Sequence, residues 1–388
     1  MTLVFLYLNR GRAHCVVTKP PSSRGLGHIP FTDATGIRIP LGVYQKLVGR
    51  LQLAFNMLIE FLRLSSVRFT TMDASRINKP RAIVIFNPNA GQAESLQASI
   101  DKASEFWREH HWTVSYAPTQ FAGHATQLAR SAAREGYDYA IAAGGDGTVN
   151  EVMNGLINTN TALGTLPIGT VNIWAREMGL PMDVLGAAKQ LLESTVRSVD
   201  VGLAGDRAFL LMAGVGFDAA VTQSVDAGEK KRLGVIAYLK QAIQVAWTFR
   251  GVRTLLRIDG KRVRGRILMI VIGNSQLYGG VVKITAHAIV DDGLLDVCVI
   301  KGRSMISAPL RLFSVFTRNY NRDPKVAYFK ASRIEIKGKK RLPIQVDGDF
   351  LGRTPMTFQI MPKALRVMVP PQADRSLWRE TSLNSSPC

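Results

Sequence analysis

Three glycine-bearing turns have the residue types that bind phosphate. The sharpest is AAGGDGTVNEV at residues 142–152, which follows an apolar run and opens a helical pattern. Consecutive glycines let backbone N–H groups approach phosphate oxygens closely, and a helix start adds a favourable dipole. Asp146 and Thr148 add the carboxylate and the hydroxyl that a phosphate or metal–phosphate site needs. The loop fits neither a Walker motif nor a Rossmann GxGxxG motif.

The other two turns are FNPNAG at residues 86–91 and LPIGTVNIWAR at residues 166–176. Each alone is more often an ordinary turn than a site. Both follow apolar runs, however, and ligands of open parallel sheets bind beyond the carboxyl ends of the strands. The three turns are therefore predicted to meet at one ligand-binding edge.

The aspartate of QVDGD, Asp347, is a candidate catalytic base. Phosphoryl transfer needs positioning, charge neutralisation and a carboxylate near the attacking hydroxyl, which an aspartate in a turn can supply. The alternative is that VDGD is simply a hairpin turn, since Asp-Gly is a favoured turn pair. The sequence shows no serine or cysteine nucleophile motif, which favours direct transfer over a covalent intermediate.

Composition limits the partners and the compartment. A formal charge of +20 and a pI near 10.2 imply attraction to an anion: nucleotide phosphates, acidic lipid headgroups or nucleic acid. Three scattered cysteines exclude a disulfide framework, and the six histidines lack metal-site spacing. No apolar stretch is long enough to span a membrane, and the first residues lack a basic segment typical of export signals. We expect a cytoplasmic protein.

The chain divides into regions of different texture. From Arg81, apolar runs alternate with helical patterns, which predicts a doubly wound α/β nucleotide-binding domain over residues 79–203. Short β-like runs then predict a largely antiparallel β domain over residues 204–356, interrupted by helical inserts at 233–249 and 304–316. A flexible tail is predicted for residues 371–388.

Residues 1–78 form a separate extension with an amphipathic pattern at residues 43–64. Three interpretations remain open: a basic helix lying on a membrane, a helix packed on the main domain, or a non-native start upstream of Met72.

The order of motifs resembles the diacylglycerol kinase catalytic-domain family, which includes soluble prokaryotic lipid kinases and the sphingosine and ceramide kinases. The resemblance rests on FNPNAG, TQFAGHA, GGDGTVNEV, GTVNIWAR, VDVG, YGG, DDGLLD and QVDGD, and covers about residues 81–370. It implies a cleft between an α/β domain and a β-sandwich domain, with a final strand at about residues 357–370 returning to the first domain.

The resemblance also implies roles for individual residues. Asp347 would be the general base. ATP would contact the following residues: Thr119, Gly144, Gly145, Asp146, Gly147, Thr148, Val149, Asn150 and Thr170.

DDGLLD resembles the family's magnesium turn, so Mg²⁺ would be bound by the Asp292 carboxylate and the carbonyls of Leu294 and Ile289. Asp200 and Asp349 would extend an acidic network toward the catalytic magnesium. The alternative for DDGLLD is a β-turn carrying solvated carboxylates.

Two departures from the family pattern bear on the metal network and on the substrate, respectively. Asp349 stands where the family usually has glutamate, and Ile173 and Trp174 replace the NDF form of many bacterial diacylglycerol kinases.

Residues 229–251 combine cations with an amphipathic run, which suggests either membrane docking or a core helix. KGKKR at residues 337–341 is interpreted as a solvated hairpin turn.

We therefore expect an ATP-dependent lipid kinase that acts on diacylglycerol, a related glycerolipid or a sphingoid base. It would work peripherally at the inner face of the membrane, with anionic phospholipids as partners. One alternative is a kinase of a soluble acceptor, resembling NAD kinase, and another is a non-catalytic basic protein that binds membranes or nucleic acid. Nucleic acid is the less favoured partner, and a homodimer is left open.

Overall fold

The computed structural model describes residues 3–9, 12–18, 79–88, 93–224, 235–279, 282–304, 323 and 325–379. The chain forms two compact units, Met1–Ile77 and Asn78–Cys388. In the first, strands β1 (Leu3–Asn9) and β2 (Arg12–Thr18) pair as an antiparallel hairpin. The predicted helix at residues 43–64 lies outside the described residues, as does the helix predicted at 304–316 after its first residue. The prediction of a flexible tail from residue 371 is wrong for residues 371–379, because Leu377 and Trp378 are buried in the core; the rest of the tail lies outside the described residues.

The α/β part of the second unit contains four parallel strands in the order β6, β5, β3, β4. Helix α1 packs with α5, and α2 packs with α3, so that both faces of the sheet are covered. The elements are β3 (Arg81–Phe86), α1 (Ala93–Glu109), β4 (Thr113–Pro118), α2 (His124–Arg134), β5 (Tyr139–Gly144), α3 (Asp146–Leu156), β6 (Ala162–Pro167), α4 (Ile173–Glu177) and α5 (Val184–Leu192).

Burial on both faces explains why these strands read as continuous apolar runs. Ile83, Val84 and Ile85 of β3 all belong to the core or pack against it, although they alternate in direction. Trp107 of α1 is fully buried and donates its Nε1–H to the Ala188 carbonyl of α5 at 2.9 Å. Truncating such a tryptophan to alanine costs about 3–5 kcal/mol.

The β part is mainly antiparallel. Its central order is β18, β17, β9, β11, β10, β16, β19, with β14 pairing with β11 and β15. The elements are β7 (Thr195–Ala204), β8 (Arg207–Phe209), β9 (Met212–Gly216), α6 (Phe217–Ser224), α7 (Val235–Thr248), β10 (Val252–Ile258), β11 (Lys261–Gly273), β12 (Leu277–Tyr278), β13 (Val282–Lys283), β14 (Leu295–Lys301), β15 (Val326–Ala331), β16 (Arg333–Gly338), β17 (Pro343–Val346), β18 (Asp349–Arg353) and β19 (Met356–Val369).

Strand β19 belongs to both parts. Its first half pairs with β16, its second half pairs in parallel with β6, and β7 runs antiparallel to both halves. The register shifts between Met361 and Leu365, where Lys363 has φ 51°. The Asp200 carboxylate of β7 accepts the Lys363 N–H at 2.7 Å across this bulge. Asp200 therefore stabilises the irregular point at which the strand passes from one part to the other.

Two details of the β part bear on the predictions. The insert predicted at residues 233–249 includes helix α7, at Val235–Thr248. The interpretation of KGKKR as a hairpin turn is wrong, because β16 pairs with β10 and β19 while β17 pairs with β9 and β18. Among the described residues, no helix is both long and apolar enough to cross a bilayer.

Candidate active site

Asp347 lies in the two-residue turn between β17 and β18. Asp347 has φ 47° and Gly348 has φ 86°, the pair of positive values that a tight I′ hairpin turn requires and that Asp-Gly tolerates. The hairpin interpretation is therefore correct for the backbone. It leaves the carboxylate available for another role, because turn geometry is set by the main chain.

The Asp347 carboxylate accepts four hydrogen bonds. Oδ1 accepts the N–H groups of Leu211 at 3.1 Å and Met212 at 2.9 Å, and Oδ2 accepts the Leu210 N–H at 2.9 Å. The fourth donor is Asn150 Nδ2, at 2.8 Å from Oδ2. Burial raises the pKa of Asp347 to about 6, although the backbone and Asn150 hydrogen bonds act in the opposite direction. The result is a desolvated carboxylate that titrates near neutral pH.

Asn150 connects this carboxylate to the glycine loop. It lies in α3, four residues after the helix begins, and is almost fully buried. Its Oδ1 accepts a hydrogen bond from Arg207 Nη2 at 3.2 Å, and Arg207 also lies 3.9 Å from Asp349 Oδ2. Arg207, which the sequence did not single out, thus contacts both Asp349 and Asn150, and Asn150 in turn contacts Asp347.

The glycine loop and the loop after β6 touch through their backbones. A Cβ on Gly169 would lie 2.5 Å from the Cα of Gly145, closer than real contacts allow. Asn172, at φ 53°, donates from Nδ2 to the Gly169 carbonyl at 2.7 Å. Asp146 Oδ1 accepts the Trp174 N–H at 3.2 Å. The predicted nucleotide loop is therefore fixed to the third turn, and the Asp146 carboxylate caps a neighbouring helix.

The remaining predicted nucleotide residues surround this loop. Thr148 packs over Gly144, where an added Cβ would lie 2.4 Å from Thr148 Oγ1. The Thr119 N–H donates to the Phe86 carbonyl at 2.8 Å, at the ends of β4 and β3. Gly147 and Thr170 are exposed, and Val149 is buried. Of the FNPNAG turn, only residues 86–88 are described.

The predicted magnesium turn is contacted by a lysine of strand β15, Lys330, that the sequence analysis did not identify. Lys330 Nζ lies 2.8 Å from Asp292 Oδ2 and 3.4 Å from Asp296 Oδ2. Asp292 Oδ1 accepts the Leu294 N–H at 3.0 Å. Carboxylates and carbonyls suit a hard divalent cation, but within the described ranges no group of three or more acidic, histidine or cysteine side chains is placed to hold one. A magnesium ion bound by the Asp292 carboxylate would compete with the Lys330 ammonium.

Asp200 lies at the same turn, where its Oδ2 accepts the Gly293 N–H at 2.6 Å. Burial raises its pKa, the Lys363 and Gly293 N–H groups lower it, and the charges of Asp292 and Asp291 raise it further. The Asp200 carbonyl and the Leu210 carbonyl both accept from Asn274 Nδ2 at 2.9 Å. Asn274 thus links this acidic turn to the backbone that holds Asp347.

Competition between Lys330 and a cation gives the first prediction. In the absence of nucleotide, Mg²⁺ should protect the Lys330→Met variant against urea at an about tenfold lower concentration than it protects the wild type. The substitution removes the competing ammonium, and a tenfold change in affinity corresponds to about 1.4 kcal/mol. Asp292→Asn should abolish the protection, which for the wild type reaches about 2.7 kcal/mol at 100 times Kd. Lys325→Met is the control. An unchanged magnesium response in Asp292→Asn would contradict a site at Asp292.

A chain of buried polar residues that the sequence did not reveal lies next to the turn that carries Asp347. Asp218, the first polar residue of α6, accepts hydrogen bonds from Gln345 Nε2 at 2.7 Å and from the Tyr278 hydroxyl. Gln345 Oε1 accepts the Gly348 N–H at 2.8 Å. Burial raises the pKa of Asp218 to about 6. The chain of hydrogen bonds therefore fixes the turn that carries Asp347.

Breaking this chain should weaken the fold. We expect Gln345→Leu to lower the free energy of unfolding by about 1–3 kcal/mol, because the Gly348 N–H and the buried Asp218 carboxylate each lose a partner. The measurement is urea unfolding, monitored by tryptophan fluorescence. Gln223→Leu removes an exposed glutamine that accepts from Arg353, and should change stability by less than about 0.5 kcal/mol. Equal stability of the two variants would contradict the assigned role of Gln345.

Comparison with known proteins agrees with this architecture. Residues 81–204 match the family described as "Diacylglycerol kinase catalytic domain", and residues 212–369 match "YegS C-terminal NAD kinase beta sandwich-like domain". A crystal structure from Bacillus anthracis str. Sterne superposes with a TM-score of 0.65 at 25% identity, covering 78% of this chain and 99% of that one. The fold is thus an α/β kinase domain followed by a β-sandwich domain.

Curated relatives give the family. Diacylglycerol kinase from Bacillus subtilis (strain 168) is 29% identical over 301 residues, covering 76% of this chain and 99% of that protein. Diacylglycerol kinase from Staphylococcus aureus (strain bovine RF122 / ET3-1) is 30% identical over 295 residues, covering 75% and 93%. The chain belongs to the diacylglycerol kinase family and is a lipid kinase. The predicted family, fold class and enzyme class are confirmed.

Proposed function

We propose that the protein transfers the γ-phosphoryl group of ATP to the hydroxyl of a lipid, with diacylglycerol as the first acceptor to test. The relatives' names support this acceptor. The observation that carries the proposal is the hydrogen bond from Asn150 to Asp347, because it joins the glycine loop, where phosphates would lie, to a desolvated carboxylate that can act as a base.

Asp347 would take the proton of the lipid hydroxyl while that oxygen attacks the γ-phosphorus and the β–γ bridging oxygen leaves with its electron pair. Both carboxylate oxygens already accept two hydrogen bonds each. Three donors are backbone groups of the segment Leu210–Met212, and the fourth is the Asn150 side chain. The acceptor hydroxyl would therefore replace Asn150, since a side chain can turn away while the main chain stays in place.

Magnesium, when bound, would neutralise charge. The Asp292 carboxylate would hold it at the DDGLLD turn, where Lys330 now supplies the positive charge.

The raised pKa of Asp347 predicts an acid limit for the reaction. Because the base works as a carboxylate, the rate should fall about tenfold per pH unit below about 6, rather than below its ordinary value of 3.8. The same shift lowers the free energy of unfolding as the pH rises from about 4 through 6, since the folded site holds its proton more tightly than the unfolded chain. Both profiles can be measured in one buffer series. An acid limb near pH 4 would contradict the assignment.

The test of the function is transfer of labelled γ-phosphate from ATP, with Mg²⁺, to micellar diacylglycerol, a micellar sphingoid base and soluble NAD. We expect label on diacylglycerol. Label on the sphingoid base would change the acceptor and keep the reaction class. Label on NAD alone, or on none of the three, would overturn the proposal.

A lipid substrate implies work at a membrane surface. The net charge of +20 favours anionic phospholipids as the surface partner. We place this contact at the inner face of the membrane.

A further inference from the structure

Positive charge is concentrated on one face of β10, β11 and β16. The register places Arg253 opposite Arg266, Leu255 opposite Arg264 and Lys337, and Arg257 opposite Arg262 and Glu335. Directly opposed residues point to the same face of a sheet. We call this the basic sheet face, and its nine members, seven of them basic and one acidic, are Arg253, Leu255, Arg257, Arg262, Arg264, Arg266, Arg333, Glu335 and Lys337.

The basic sheet face points to solvent. The alternate residues of β10 and β16 fill the sandwich core, including Leu256, Ile258, Ile334 and Ile336, whereas most members of the face are exposed. Its single carboxylate, Glu335, lies within 3.8 Å of three cations, Arg257, Arg333 and Lys337. A single carboxylate shared among three cations leaves the basic sheet face with a large excess of positive charge.

A groove extends this charge toward helix α7. It has a volume of about 550 Å³, and its charged lining adds two cations from neighbouring loops to four members of the face: Arg253, Arg264, Arg266, Arg303, Lys337 and Lys339. Arg250, just after α7, donates from Nη1 to Ser304 Oγ at 3.4 Å, beside Arg303. The positive surface is thus continuous from the sheet to the end of the helix.

Helix α7 adds exposed apolar side chains beside the cations. Ile243 and Trp247 lie four residues apart, hence on one side of the helix, and are 57% and 66% exposed. Ala246 of the helix and Phe249, the residue after the helix ends, pack against Leu268, which follows Arg266 by two residues in β11. The helix is therefore anchored at the edge of the basic sheet face.

We propose that the basic sheet face and the Ile243–Trp247 side of α7 dock the protein on an anionic lipid bilayer. Three strands about 4.8 Å apart, each contributing three residues over about 13 Å, present a flat array of charge. A flat anionic surface complements it. A tryptophan and an isoleucine beside arginines suit the headgroup boundary, where apolar side chains enter and cations stay outside. This choice of occupant rests on the proposed lipid kinase function.

Sedimentation with vesicles tests the charge. The full chain is mixed with phosphatidylcholine vesicles with and without phosphatidylglycerol. We expect strong binding only with phosphatidylglycerol, and about 100-fold weaker binding for the triple variant Arg253→Gln, Arg262→Gln, Arg264→Gln. The matched control, Lys102→Gln, Arg130→Gln, Lys189→Gln, removes the same charge from exposed positions of α1, α2 and α5, and should bind as the wild type does.

Trp247→Ala tests the apolar part. Its binding to the anionic vesicles should be about tenfold weaker, and the blue shift of tryptophan emission on binding should shrink. Equal binding of the two triple variants, or an emission shift unaffected by Trp247→Ala, would overturn the proposal. So would selective loss of double-stranded DNA binding in the basic-face variant with vesicle binding intact.

Activity in detergent micelles separates this surface from the proposed function. The basic-face variant should phosphorylate micellar lipid at the wild-type rate, because none of its changes lies at the active site. If the wild type labels no lipid, the function fails, while vesicle binding still decides the docking surface. If the wild type is active and all variants bind vesicles equally, the surface is wrong and the function stands.

Discussion

Asp347→Asn is expected to lower kcat for lipid phosphorylation by about 10²–10⁴-fold, the contribution typical of a positioned general base. KM for ATP should change little, because the glycine loop is untouched. Asparagine tolerates the positive φ of this position, so the hairpin should persist. The NH₂ group of the new asparagine would, however, replace one carboxylate oxygen and face the two donors that this oxygen now accepts from. The two lost hydrogen bonds should lower the free energy of unfolding by about 1–3 kcal/mol. Activity and urea unfolding should be measured on the same preparation.

The chain contains a matched control for this variant. Asp259 and Gly260 form a second hairpin turn, with φ 43° and 80°, and the Asp259 carboxylate likewise accepts backbone N–H groups, from Ser332 and Arg333. Because the Asp259 carboxylate is exposed, Asp259→Asn should lose less stability than Asp347→Asn and keep its kcat. If Asp347→Asn loses no more activity than Asp259→Asn, Asp347 only supports the turn and is not the base.

Gly169→Ala should reduce kcat/KM for ATP by about 10²-fold. The new methyl group would lie 2.5 Å from the Cα of Gly145 and 2.7 Å from Asn172 Oδ1. Backbone cannot turn aside as a side chain can, so the two loops must separate, and a displacement of about 1 Å near reacting groups is enough for a loss of this size. Steady-state kinetics with varied ATP measures it.

Gly145→Ala tests the same contact from the other loop and should have a smaller effect. Its Cβ would lie 3.3 Å from the Gly169 Cα, a tight contact that a shift of a few tenths of an ångström relieves, so the loss should be smaller. Gly265→Ala is the control in a distant strand, where the nearest atom is a Lys301 side-chain carbon at 3.4 Å. An unchanged kcat/KM for ATP in Gly169→Ala would show that contact between the loops does not shape the nucleotide site.

The sequence predicted what local pattern determines. The apolar run of β3, the glycine loop that opens α3 and the VDGD turn all follow from periodicity or from the conformational range of Gly and Asp. Each is encoded within about ten residues. The change of pattern near residue 204 predicted the two domains, and the order of motifs added the family and the final strand that returns to the first domain.

The sequence did not predict contacts between residues that are distant along the chain. The hydrogen bond from Asn150 to Asp347 joins positions 197 residues apart, and Lys330 pairs with an aspartate 38 residues earlier. In the sequence, Gln345 is an ordinary strand residue, and only the fold shows its hydrogen bond to Asp218. The hairpin assigned to KGKKR failed for the same reason, since only strand order shows that β16 and β17 are not neighbours.

Strand β19 also constrains how the protein is made. Strand β6 has β5 on one side and β19 on the other, and β7 pairs with β19 and the short β8. On the ribosome, the nucleotide-binding domain therefore has an open sheet edge until residues 356–369 emerge, after the whole β domain has been synthesised. An exposed edge strand is a template for aggregation. A chain that ends before Met356 is therefore expected to aggregate through the β6 edge, and the nucleotide-binding domain is the first to begin folding and the last to be completed.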